Sequence, residues 1–273
     1  MVIKGKMQYK MVALDLDGTL LPHNLELSER VEATLARVQA RGVWVTIASG
    51  RGYPSLLPWV ERLHIAAPVV GYQGARVTDP ATHRTVRDYP FSSDLIPELV
   101  AYARAQDLSL TLYHDDEIYS EEKRQSDDFY DRWFGLPVHL VPSLLGALPG
   151  DPTKFLITDE PARLDCLQPD IEARFTGKLQ IVRSHPLFIE GLASGISKAS
   201  ALAWICEQAG FSAGEVIAIG DSGNDVEMLR WAGVGVAMGN ASPDALAAAD
   251  LVAPSVDDDG VAHILGKLVL GEG

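Results

Sequence analysis

The chain has 273 residues, a net charge of −14, 47% apolar residues and two cysteines. It is long enough for two domains and apolar enough to bury a sizeable core, while its acidity excludes the basic face that a nucleic-acid binder needs. Cys166 and Cys206 frame neither a disulfide scaffold nor a zinc site. No membrane-length apolar run occurs and Met1 to Lys10 does not read as a signal peptide, so a cytoplasmic protein without a membrane span is expected.

Met11 to Leu14 (MVAL) reads as a short buried strand, broken by Asp15-Leu16-Asp17-Gly18-Thr19-Leu20. Ser28 is placed to cap a helix with Val31, Leu35 and Val38 at helical spacing, and Gly42 to end it. Val43 to Ala48 is a second buried strand running into Ser49-Gly50-Arg51, and Val69 and Val70 begin a third. From about residue 84 to 188 the character changes. Strands are expected at Leu108 to Tyr113, Lys154 to Thr158 and Leu179 to Arg183, among helices, prolines and the charged run Glu121 to Arg124. The first style then returns. Ser197 opens a helix closed by Gly210, and Val216 to Ile219 is a strand ending at Gly220-Asp221. A helix through Met228 and Leu229 stops at Gly233, Val234 to Met238 is a strand, Ser242-Pro243 starts a helix, and a short last helix follows Asp257-Asp258-Asp259-Gly260. Apolar strands separated by helices give an α/β fold. The expected arrangement is a Rossmann-like parallel-sheet core (residues 1–83 and 189–273) with helices on both faces, carrying an inserted α+β cap at 84–188.

Chemistry gathers at the strand ends, where open α/β sheets bind ligands. Asp15 and Asp17, one residue apart, can divide labour between attack and proton transfer, although an isolated pair of this kind is also an ordinary acidic turn. Ser49 offers a hydroxyl to a phosphoryl oxygen, and Asp221 an oxygen to a hard cation. Lys198 starts a helix, the end where the dipole disfavours a cation, which suggests a task other than capping. An acidic protein that binds an anion needs such local positive charge.

Together, the Asp15 to Leu20 segment, Ala48-Ser49-Gly50-Arg51, Lys198 and Gly220-Asp221-Ser222-Gly223-Asn224-Asp225 resemble the four signature motifs of the haloacid dehalogenase superfamily. Gly195 to Lys198, Val236 to Ala241 and Asp259 to Ala262 resemble its Cof-type sugar phosphatases. One departure is Gln73, where that branch usually has Asn before Gly-Ala. The resemblance implies that Asp15 attacks phosphorus to form an aspartyl-phosphate, and that Asp17 protonates the leaving oxygen and then activates water. It implies phosphate contacts from Leu16, Ser49, Gly50, Arg51, Lys198 and Asn224. It also implies Mg2+ held by Asp15, the carbonyl of Asp17 and Asp221, with Asp225 a further ligand or a support. The implied substrate is a small phosphorylated metabolite, such as a sugar phosphate, handled by a monomer or weak homo-oligomer. An acid at Asp17 separates this pattern from dehalogenases and transport ATPases.

Gly191 to Lys198 lacks the Gly-Lys pair of a nucleotide P-loop, and Gly233-Val234-Gly235 precedes its strand instead of following it. The histidines show no metal spacing, His114-Asp115-Asp116-Glu117 reads as a solvated turn, and Trp133-Phe134 as core of the insertion. Two other functions fit the motifs: a phosphomutase of the same superfamily, and a non-catalytic phosphometabolite-binding protein.

Overall fold

The computed structural model describes residues 9–133 and 135–272, with 131–133 described as backbone only. Residues 1–8, Phe134 and the side chain of Trp133, for which expectations are given above, lie outside the described residues.

The chain begins with β1 (Met11–Leu14), α1 (Glu29–Gln39), β2 (Trp44–Ile47), α2 (Tyr53–Arg62) and β3 (Val69–Gly71). β4 (Arg76–Asp79) and β5 (Arg84–Asp88) then fold back antiparallel from β3. The middle of the chain forms α3 (Ile96–Ala105), β6 (Ser109–His114), β7 (Glu117–Ser120), α4 (Asp127–Trp133), β8 (Val138–Leu140), β9 (Lys154–Thr158), α5 (Pro161–Arg174), β10 (Leu179–His185) and β11 (Phe188–Ala193). The return is α6 (Lys198–Ala209), β12 (Val216–Gly220), α7 (Val226–Trp231), β13 (Val234–Ala237), α8 (Pro243–Ala248), β14 (Leu251–Val252) and α9 (Gly260–Leu265).

The core sheet has the order β14-β13-β12-β1-β2 with every pair parallel, and an Ala48–Val70 bridge sets β3 beside β2. Alternation along β1 shows why its sequence is apolar throughout. Val12 and Leu14 pack in the layer of α1, with Val31 and Leu35, whereas Met11 and Ala13 pack in the layer of α6, with Leu202 and Ile205. Successive strands leave β1 outward to β2 on one side, and β12 starts the other side. That reversal makes the β1/β12 crevice the place for a ligand.

The second sheet, β10-β11-β9-β6-β7-β8, is antiparallel except for β7 with β8. Leu112, Phe155, Ile157 and Ile189 face Leu99, Leu164 and Ile171 of α3 and α5. Tyr113, Leu156, Phe188 and Leu192 face the other way, onto Tyr72, Ala75 and Ile196. This sheet therefore lies over the loops that follow β3. β11 runs through the division expected after residue 188 and belongs to the second sheet up to Ala193.

Candidate active site

Asp15 leaves β1 with its N–H still donating to the Ile219 carbonyl (2.9 Å), so its position is fixed by the sheet. Ser49 is held likewise through Val70 (2.9 Å). Lys198 is the first residue of α6, where Ser197 and Ser200 form a reciprocal cap. Its ammonium is 1% exposed and donates to Asp15 Oδ1 and to Asp225 Oδ1, both at 2.6 Å. A buried cation is stable only when paired in this way. Burial opposes its charge, but Asp15 and Asp225 outweigh burial and hold the lysine above its ordinary range.

Asp225 is fully buried. Its second oxygen accepts the N–H groups of Asp221 (2.9 Å) and Ser222 (3.0 Å), which shapes the turn carrying Asp221. Gly220 permits this, because a Cβ there would lie 2.5 Å from Asp225 Cγ. Gly18, at φ +83°, permits the approach of Asp221, whose Oδ2 lies 2.4 Å from where a Cβ would stand. Asn240 Nδ2 donates to the Gly18 carbonyl (2.8 Å).

Oxygens of Asp15, Asp221 and Asp225 all lie within 4.8 Å of one another. Burial, reinforced by neighbouring acids and only partly offset by Lys198, raises Asp15 well above the usual carboxylate range. Burial and Asp225 push Asp221 up to about 7. Acids crowded in a dry site need a compensating cation, and hard oxygen donors suit a divalent one. The residues fit such an ion. Asp225 has both oxygens engaged within the protein, which leaves Asp15 and Asp221 to meet it. The Asp17 side chain is outside this trio. Its carboxylate takes a two-pronged pair from Arg51, at 2.8 and 2.6 Å.

The remaining expected phosphate contacts divide. Ser49 Oγ accepts the Arg51 N–H (3.2 Å), which leaves its hydroxyl proton for another acceptor. The Leu16 side chain is in the core, so only its peptide group is left to meet a phosphate. The Arg51 guanidinium is turned to Asp17, and Asn224 donates to Gln73 Oε1 (3.0 Å). Sequence reasoning assigned no role to Thr19, whose hydroxyl is 3.5 Å from Asp221, nor to Lys154 and Glu190, a buried pair at 2.6 Å beneath the second sheet. Gln73 was visible only as a departure from a pattern. The turn at His114 to Glu117 is more than solvated: Asp116 accepts from Tyr72 OH (2.9 Å) and Asp115 pairs with Arg76.

The Asp15–Lys198–Asp225 contacts and the cluster of Asp15, Asp221 and Asp225 stand at the sheet crevice where open α/β folds bind ligands. The sequence profile of the haloacid dehalogenase-like hydrolases matches residues 12–265, and the chain belongs to that family, in its Cof-type branch, as a phosphatase. It is 31% identical over 271 residues to YxeH of Bacillus subtilis, covering 97% of this chain and all of that one. YitU of the same organism, named a 5-amino-6-(5-phospho-D-ribitylamino)uracil phosphatase, is 30% identical over 93% of this chain and 96% of its own. A haloacid dehalogenase-like hydrolase from Bacteroides thetaiotaomicron superposes with a TM-score of 0.84 at 31% identity, over 96% of this chain and 100% of that one. Among the described residues no helix is long and apolar enough to cross a membrane.

Proposed function

We propose that the protein is a Mg2+-dependent phosphatase of small phosphorylated metabolites, sugar phosphates foremost, acting in the cytoplasm through an aspartyl-phosphate on Asp15. The observation that carries this reading is the buried Asp15–Lys198–Asp225 arrangement, with both lysine contacts at 2.6 Å. A bare carboxylate repels a phosphate dianion; Lys198 beside Asp15, with Mg2+ held by Asp15, the Asp17 carbonyl and Asp221 and backed by Asp225, would supply the missing positive charge.

In this reading Ser49, Lys198, Asn224 and the peptide groups of Leu16 and Gly50 hold the phosphoryl oxygens while Asp15 attacks phosphorus. Asp17 gives its proton to the departing alkoxide, then takes one from the water that releases phosphate. Arg51 bears on both half-reactions. Its fork orients the Asp17 carboxylate, and Arg51 reaches the phosphate only if that fork opens. Residues 84–188, extended to the end of β11, act as the cap that covers the site and selects the leaving group.

A phosphate-release screen tests this. The panel holds sugar phosphates, sugar-alcohol phosphates including the substrate for which YitU is named, nucleotides and p-nitrophenyl phosphate. Release with Mg2+ and none with EDTA is expected. Isomerisation of a sugar phosphate without net release would favour a phosphomutase instead.

A further inference from the structure

A polar chain that the proposed chemistry does not use runs from the core loops to the second sheet. Gln73 is 2% exposed and sits in the left-handed region at φ 58°, ψ 18°, which side chains other than glycine seldom occupy. Its N–H donates to the Ser49 carbonyl (3.0 Å), its Oε1 accepts from Asn224 (3.0 Å), and its Nε2 donates to Glu190 Oε1 (3.3 Å). Glu190 also accepts from Ser184 Oγ and, through Oε2, from Lys154 Nζ (2.6 Å). Lys154 closes the chain by donating to the Gly50 carbonyl (3.2 Å), and its ammonium lies 4.7 and 5.5 Å from the ring centres of Tyr113 and Tyr72.

The placement is set by strand alternation. Lys154 shares a face of β9 with Leu156, and Glu190 a face of β11 with Phe188 and Leu192, the face turned to the core. Gly50 leaves room for the chain, since a Cβ there would stand 2.4 Å from Gln73 Nε2. Glu190 is 3% exposed with both oxygens engaged. Groups satisfied inside the protein orient their neighbours and have little capacity left for a ligand. The neighbours here are the Ser49-Gly50 loop and Asn224, both on the phosphate side.

We infer that Gln73, Glu190 and Lys154 are positioning residues that fasten the second sheet to the phosphate loop and set Ser49, Gly50 and Asn224 for phosphoryl transfer. The inference rests on the phosphatase reading for its kinetic consequence, but not for its structural one. The Gln73 carboxamide reaches Asn224 and Glu190 together.

An exchange of the two functional groups tests it. Gln73→Glu sets two carboxylates against each other and removes the donor between them. Adding Glu190→Gln puts a carboxamide back on the opposite side. Gln73→Glu is expected to lower kcat for p-nitrophenyl phosphate by about tenfold or more, and the double variant to recover to within about threefold of the parent. Hydrogen exchange, read without substrate, is expected to quicken across residues 49–52 and 221–225 in the single variant and to slow again in the double. Full activity in the single variant, or a double variant no better than the single, overturns the inference. If the parent itself releases no phosphate, the phosphatase reading fails, while the exchange data still decide the fastening role. Should Gln73→Glu fail to fold, Gln73→Ala serves: unchanged exchange at 49–52 and 221–225 would overturn the inference, and faster exchange there would support it.

Discussion

At the scale of single residues, the site is a balance of negative charges around one lysine. Asp221 is an acid whose folded pKa, about 7, lies above its ordinary 3.8, because burial and Asp225 disfavour its charge. Between those two values the folded state binds more protons than the unfolded, so its contribution to stability falls as pH rises. In EDTA, Asp221→Asn is therefore expected to melt above the parent at pH 8 and level with it near pH 4; Mg2+ should erase the difference at pH 8 by stabilising the parent. Parallel melting curves at both pH values in EDTA would contradict this. Gly18 acts through space alone. Gly18→Ala puts a Cβ 2.4 Å from Asp221 Oδ2 at φ +83°, and the carboxylate must move. The Mg2+ concentration for half-maximal activity should rise about tenfold, which a metal titration reads directly. Neither effect is visible in the sequence, where Gly18 and Asp221 are 203 positions apart and only the motif pattern relates them.

At the scale of elements, the helix cap and the strand core do different work. Ser197 Oγ accepts from the Ser200 N–H (3.3 Å) and Ser200 Oγ accepts from the Ser197 N–H (3.0 Å), which fixes the first turn of α6 and with it Lys198. Ser197→Ala should cost about 1 kcal/mol by denaturant unfolding. It should also lower kcat, since the turn it loosens carries the buried ammonium. A loss of stability with kcat untouched would show that the cap does not position Lys198. In the second sheet, Phe155 is fully buried against Phe91, and Phe155→Ala should cost about 3–5 kcal/mol. The helix opened by Ser197 and the strands around Asp15, Ser49 and Asp221 were legible because apolar runs, caps and turn residues agree there. Less of the middle could be read. β7, β8 and β11 are short or carry a buried charge, and Glu190 interrupts an apolar run with an acid whose partner is 36 residues away. Local pattern cannot distinguish that acid from a solvent-facing one.

At the scale of the molecule, the β1/β12 reversal brings together four chain segments whose chemistry is complementary, and the second sheet lies across the neighbouring loops. The motifs foretold that gathering. They did not foretell that Arg51 would clasp Asp17, or that Gln73 would bind the phosphate loop to the sheet above, because both depend on side-chain reach across elements. Lys198 is buried against Asp15 and Asp225 and Arg51 pairs with Asp17; in the proposed reading a bound ion would supply the remaining positive charge. Asp15 is the residue on which the whole reading turns. The decisive measurement is phosphate release from p-nitrophenyl phosphate by the parent and by Asp15→Asn, each with Mg2+ and each shown by circular dichroism to be folded. A parent that turns over and a folded Asp15→Asn variant at background rate are expected; a folded variant retaining full activity would contradict Asp15 as the nucleophile.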